Sequence, residues 1–331
     1  MAEHDDSDIA RVLRAAGERA SPSDEMTRAV YGAVHAEWRA TVGRQKRKRV
    51  QRVWLAAAAS IAVAAVALFV GRNFIHAPGE LMADVSRSVG IIQVRGGDSG
   101  EWLSVANPKA LRVGERIHTS ADGRLALALR DGVSLRLDHD TTIALISLDR
   151  VDVTSGAVYI DSGVVGPSAA RLQLGTPAGV VRHLGTQYEA RILSGGGTRI
   201  RVREGRVDVT PANGPPRTLE VGDQILVLDI GVEERGRIEP SNDEWDWASS
   251  AAPEFDIDGK PVQDFLAWAA RETGLKVVYT TTASAAEARR NVLSGSIAGL
   301  DPDEALAAVL PTTGLKGTEQ DGQLVIELAA R

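Results

Sequence analysis

The chain has 331 residues, of which 44% are hydrophobic and 25% charged, with a formal net charge of −6 and no cysteine. That length suffices for several domains, and the missing cysteine excludes disulfides, thiol catalysis and cysteine metal sites. The charge is uneven: residues 1–52 hold 11 Lys/Arg against 8 Asp/Glu, and the remainder is net −9, so the larger part reads as an acidic soluble body and not a nucleic-acid binder.

In residues 1–52, Ile9, Val12, Leu13 and Ala16 follow the spacing of one helix face, ended by Gly17. The run Ser21-Pro22-Ser23-Asp24 reads as a helix start, with the cap at Ser21 and proline at the first position. Met26, Val30, Ala33, Val34 and Trp38 then form a second stripe. Two helices this short bury too little surface to make a core. They read either as a weak membrane-proximal hairpin or as a docking segment for a cytoplasmic protein, with Ile9, Val12, Leu13, Met26, Val30, Val34 and Trp38 as the docking residues.

Residues 53–70 contain no charge, and a helix of 18 residues spans roughly 27 Å, near the ~30 Å hydrocarbon core. A single transmembrane helix is expected over 53–71. Arg44, Lys46, Arg47, Lys48, Arg49 and Arg52 precede it with no acid among them. The positive-inside rule then places the N-terminus in the cytoplasm, and the basic block meets anionic membrane lipid. Residues 72–84 read as a linker.

From 85 to 235 the period becomes two, as in Leu125-Ala-Leu127-Ala-Leu129, Val133-Ser-Leu135-Arg-Leu137 and Val151-Asp-Val153, with glycine turns about every ten residues. This predicts an all-β domain, a sandwich or β-solenoid, whose strands bury one face and expose a polar one. The ordered pieces 131-DGVSLRLD, 148-LDRVDVTSGAVYID, 171-RLQLGTPAGVVRHLGTQYEAR, 202-VREGRVDVT and 219-LEVGDQILV resemble the FecR domain of bacterial membrane-spanning regulators.

Residues 236–253 read as a polar linker that includes Trp245 and Trp247. Residues 254–331 predict a small α+β domain in the order βα-ββ-αββ. Its strands are expected at 255–257, 276–279, 293–298, 315–319 and 324–328. One helix opens at Pro261 and another at Asp301-Pro302-Asp303-Glu304. The pieces 255-FDIDGKPVQDFLAWAARETGLKVVY and 294-SGSIAGLDPDEALAAVLPTTGLKGTEQDGQLVIEL resemble the STN domain of secretins and TonB-dependent receptors, a protein-binding fold without a catalytic constellation.

The six histidines show neither metal-ligand spacing nor a nucleophile motif, and 138-DHD-140 reads as a solvated turn. No cofactor, no metal and no enzyme acting on a separate substrate is expected. In 183-HLGTQY-188, a Thr186 hydroxyl could attack the Gly185 carbonyl and turn amide into ester, which water then cleaves. Some members of the FecR-type family cleave themselves at such a Gly-Thr pair and stay associated. The resemblance therefore implies a scissile Gly185–Thr186 bond with His183 as base, and an ordinary glycine turn is the other reading.

Together the resemblances imply a single-pass regulator of the bacterial inner membrane, an anti-sigma factor with its C-terminal domains in the periplasm. It would relay a signal from the STN domain of an outer-membrane TonB-dependent receptor to a cytoplasmic ECF sigma factor, for iron, siderophore or nutrient uptake. Envelope proteases would release the inner piece. The alternatives are an envelope scaffold with a simple anchor and a polysaccharide- or peptide-binding module, the latter disfavoured by 4% aromatics.

Overall fold

The computed structural model describes residues 79–106, 108–163, 172–228 and 231–329, with 10–12, 14, 15, 17, 23–26 and 28–32 nearer the N-terminus. They belong to two units, Met1–Ala77 and Pro78–Arg331. In the first unit, residues 24–26 and 28–32 are helical, and the Ser23 hydroxyl accepts the Met26 N–H at 3.3 Å. That bond satisfies a donor of the first turn, and the expected cap Ser21 lies outside the described residues. The expected span 53–71 lies outside the described residues. Among those described, no helix is long and apolar enough to cross a membrane.

The second unit begins with β1 (Leu81–Val89), β2 (Ile92–Gly96), β3 (Leu103–Val105), β4 (Ala110–Arg112) and β5 (Glu115–Thr119). It continues through β6 (Arg124–Leu129), β7 (Ser134–Leu137), β8 (Thr142–Ser147), β9 (Arg150–Ser155), β10 (Ala157–Asp161) and β11 (Gln173–Thr176). The long strands β12 (Gly179–Ile192) and β13 (Thr198–Pro211) follow, then β14 (Arg217–Glu220), β15 (Asp223–Leu228) and β16 (Gly231–Arg237). All sixteen belong to one sheet, joined at β12. The first residues of β12 pair with β11 and the last with β10, while its other edge pairs with β13 along its length.

The sheet curls so that its two arms share one core. Ile117, Ile143, Leu145 and Val151 from the β5-β8-β9 arm meet Leu125, Leu127, Leu135, Leu137 and Ile160 from the β6-β7-β10 arm, all essentially inaccessible. Each such side chain contributes about 1.5–3 kcal/mol by leaving water. The alternation read from sequence supplies these residues, but the prediction of a solvent-facing polar side fails over part of the sheet. Arg136, Asp161, Gln187, Glu189, Arg201 and Arg203 point away from the core and are nonetheless buried.

The C-terminal segment covers them. Residues 236–253 are not a free linker: they include α1 (Asp246–Ser250), and Trp245 and Trp247 pack with Tyr159, Ile238 and Ala248 in a small apolar cluster. Beyond it lie α2 (Val262–Thr273), β17 (Lys276–Tyr279), α3 (Thr282–Arg290), α4 (Pro302–Val309), β18 (Leu315–Gln320) and β19 (Gln323–Leu328). The three strands form a sheet ordered β17-β19-β18, with β17 parallel to β19.

The starts and stops of α2 and α4 are the expected ones. Asp301 and Glu304 close a reciprocal capping box, and Gly274 ends α2 in the left-handed region. The strands expected at 255–257 and 293–298 are absent. Ile257, Leu293 and Ile297 are buried in the core, but their segments form no strand, and the isolated bridge nearby, Pro261 to Val292, lies outside both. The helix α3 was not expected. Its Thr281–Ser284 capping box holds a sequence with few apolar residues, so the helical stripe was weak.

Candidate functional site

The geometry around Gly185 and Thr186 is a bulge. Leu184 opposes Arg206 and Gln187 opposes Glu204, so two residues of β12 face one, Gly205, in β13. Gly185 has φ +65 and Gly205 φ +76. Glu204-Gly205 is not a turn between strands: the stretch 200–209 runs through it as continuous β13. Glycine serves here to let two backbones approach within a ladder.

Thr186 is fully buried, and its hydroxyl has no hydrogen-bond partner. Leaving such a group unsatisfied costs roughly 1–3 kcal/mol. His183 is also fully buried, with both ring nitrogens unpartnered, so it is not bonded to the Thr186 hydroxyl. Its ring lies 6.2 Å from that of Tyr188 on the core side. Burial lowers the His183 pKa from 6.5 to about 4. The imidazole is neutral, but so weak a base is poorly matched to taking a hydroxyl proton near neutrality. The sign of its effect on stability follows. Between pH 6.5 and about 4 the unfolded chain protonates His183 and the folded chain does not, so stability falls as pH falls through this window. The loss reaches about 3 kcal/mol. His183→Leu is expected to remove this contribution, so its melting temperature should drop less than that of the parent between pH 7 and 5.

The other side of Thr186 meets Ser162, the residue after β10. The Thr186 N–H donates to Ser162 Oγ at 2.7 Å, while the Ser162 N–H and hydroxyl donate to the Thr186 carbonyl at 3.0 and 3.1 Å. The neighbouring pair Asp161 and Gln187 connects this point to the C-terminal domain. Gln187 Nε2 donates to Asp161 Oδ2 at 3.0 Å and to the Arg271 carbonyl at 3.3 Å. The Arg271 guanidinium donates to both Asp161 oxygens, at 2.5 and 3.2 Å, and to Glu204 at 2.6 Å. Burial alone would raise the Asp161 pKa, but the hydrogen bonds and charge of Arg271 outweigh it and hold the carboxyl below its usual range. Arg271 of α2 thus grips Glu204, next to Gly205, through its guanidinium, and Gln187, two residues after Gly185, through its carbonyl.

Next to it is a buried ion pair. Arg136 of β7 and Glu272 of α2 are joined by two hydrogen bonds of 2.6 and 2.9 Å, and Arg136 also donates to the Ala248 carbonyl at 2.9 Å. Its guanidinium lies 5.1 Å from the Tyr159 ring. Desolvation works to lower the Arg136 pKa, yet the Glu272 carboxylate more than offsets it and the net shift is upward. The Glu272 carbonyl, an open acceptor at the end of α2, is taken by Arg203 at 2.8 Å and Ser249 at 2.7 Å. Beside this junction lies a cleft of about 930 Å³, bordered by Gln187, Arg203 and Glu204 on one side and Arg271, Lys276 and Gln323 on the other.

Of the expected docking residues, Val12, Met26 and Val30 are exposed, and Ile9, Leu13, Val34 and Trp38 lie outside the described residues. The 138–140 turn differs from expectation. Asp138 is buried and bonded to Arg124 at 3.2 Å and Arg191 at 2.9 Å, because α1 and Trp247 cover this part of the sheet. No group of three or more His, Cys, Asp or Glu among the described residues is arranged for a metal. Nothing in the sequence marks Ser162, Arg271 or Glu272, and Arg136 shows only as a polar side chain alternating with core leucines.

Residues 115–208 match the family model described as FecR protein. Two crystal structures of a provisionally assigned anti-sigma factor from Parabacteroides distasonis ATCC 8503 are similar at 16% identity and a TM-score of 0.34, each covering 65% of this chain and 99% of its own. No curated protein matches the chain. Ser162, the Gly185–Thr186 bulge and Arg136 all fall within the matched span.

Proposed function

We propose that this chain is a single-pass inner-membrane regulator that restrains a cytoplasmic ECF sigma factor and responds to a periplasmic signal. The observation that carries the reading is the FecR match over 115–208, on the C-terminal side of an uncharged 18-residue run with its cations on the other flank. Residues 1–52 would hold the sigma factor through apolar stripes, of which Val12, Met26 and Val30 are exposed. The C-terminal domain would receive the STN domain of a TonB-dependent receptor. Strand β17 lies at the edge of its sheet, with Val278 partly exposed, and an edge strand of this kind can add a strand from a partner. Iron, siderophore or nutrient uptake is the process such a relay would control, with envelope proteases releasing the inner piece.

Self-cleavage at Gly185–Thr186 belongs to the same reading. It is supported by a left-handed glycine, an unpartnered buried hydroxyl on the next residue and a bulge that interrupts the ladder. The test of the regulator is co-purification of tagged full-length chain from its own host. An ECF sigma factor should be recovered with the parent chain and lost when Val12, Met26 and Val30 are changed together to aspartate. Recovery of envelope proteins and no sigma factor would favour the scaffold reading instead.

A further inference from the structure

We propose that Ser162 is a catalytic residue of the Gly185–Thr186 rearrangement, holding the scissile nitrogen and passing it a proton; this rests on the self-cleavage reading. The argument starts from the ladder. Strands β10 and β12 pair antiparallel, with Ile160 opposite Tyr188 and Asp161 opposite Gln187, so Ser162 comes opposite Thr186. One half of the expected pair is present, the Ser162 N–H donating to the Thr186 carbonyl at 3.0 Å. In the other half the Thr186 N–H donates to the Ser162 hydroxyl at 2.7 Å. A carbonyl can only accept at this point. A hydroxyl can accept from the planar amide and give a proton to the nitrogen once that nitrogen becomes tetrahedral.

The bonds balance without a further reagent except water. Thr186 Oγ1 bonds to the Gly185 carbonyl carbon and the bond from that carbon to the Thr186 nitrogen breaks. The proton leaving Oγ1 is matched by the proton that the nitrogen gains, and Ser162 gives one and takes one back. The ester is then hydrolysed to a Gly185 carboxylate and a Thr186 with free amine and hydroxyl. His183 makes no hydrogen bond to Thr186, which leaves Ser162 as the proton-bearing side chain bonded to the reacting residue. Ser162 is itself fully buried and held in place, since Asp161 Oδ1 accepts the Gly163 N–H at 2.8 Å and Arg271 anchors the same carboxylate.

The test follows the full chain, synthesised in vitro with a C-terminal tag, from the time of synthesis. The parent should yield a fragment of residues 186–331, and Thr186→Ala should yield none. Ser162→Ala should slow cleavage by roughly 10²-fold or more at pH 8. Solvent must then protonate the nitrogen, so the variant's rate should rise as pH falls toward 5 while the parent's rate changes little. The melting temperature of Ser162→Ala serves as the folding control. Absence of the fragment from the parent would overturn the self-cleavage reading itself. A parent that cleaves beside a Ser162→Ala variant that cleaves as fast, or is slowed equally at every pH, would overturn the role of Ser162 and leave self-cleavage standing.

Discussion

Arg136→Ala is expected to lower the unfolding free energy by about 3–5 kcal/mol, the largest loss from any single side chain at the domain junction. The reason is what remains. Arg136 is 1% exposed, and its removal leaves the Glu272 carboxylate buried without its two hydrogen bonds. The Ala248 carbonyl also loses a donor. Arg271 cannot take over, because Asp161 and Glu204 already engage it. The measurement is urea unfolding of the purified chain followed by tryptophan fluorescence, which reports on Trp245 and Trp247 at the same junction. Arg136→Met combined with Glu272→Leu should recover most of the loss, since replacing a buried pair by apolar groups is often neutral or stabilising. An Arg136→Ala loss below about 1 kcal/mol would mean that the pair is solvated in solution.

The second large effect concerns the paired glycines, which should respond unequally. At Gly205, φ is +76 and a Cβ would fall inside contact distance of the Gly185 carbonyl oxygen. At Gly185, φ is +65 but a Cβ would meet nothing within 4 Å. Gly185→Ala therefore carries the left-handed penalty alone, roughly 1–2 kcal/mol. Gly205→Ala adds a collision between two backbones that must move apart, and overpacking of this kind costs roughly 1–3 kcal/mol more. Because the displaced atom is the Gly185 carbonyl, Gly205→Ala should also reduce formation of the 186–331 fragment. The check is the pair of unfolding curves together with a C-terminal immunoblot. Equal losses for the two variants would show that the strands are not in close approach at the bulge.

These effects mark the boundary of what the sequence made legible. Period-two alternation located the core strands, since Leu125, Leu127, Leu135, Leu137, Val151 and Val153 are buried as expected. Capping chemistry is local, so the box at Asp301 and the stop at Gly274 were readable too. The polar partners of those strands were misread as a wet face. Arg136 between Leu135 and Leu137 looks the same in sequence whether water or α2 lies above it, and α2 is contributed by residues more than a hundred positions later. A similar separation hid Arg271 from Asp161, and Ser162 is brought to Thr186, 24 positions away, only by the pairing of β10 with β12. Residues 255–257 and 293–298 failed for the opposite reason: Ile257, Leu293 and Ile297 are buried, but neither segment joins a ladder, and burial without pairing mimics a strand.

The wider account requires that the β-domain and residues 1–52 lie on opposite sides of a membrane. A chain without cysteine allows a direct measurement, by placing single cysteines and labelling spheroplasts with a membrane-impermeant maleimide. Thr154→Cys, on an exposed position of β9, should label in intact spheroplasts, and Ser7→Cys only after lysis. Labelling of both in intact spheroplasts, or of Ser7→Cys alone, would contradict the account.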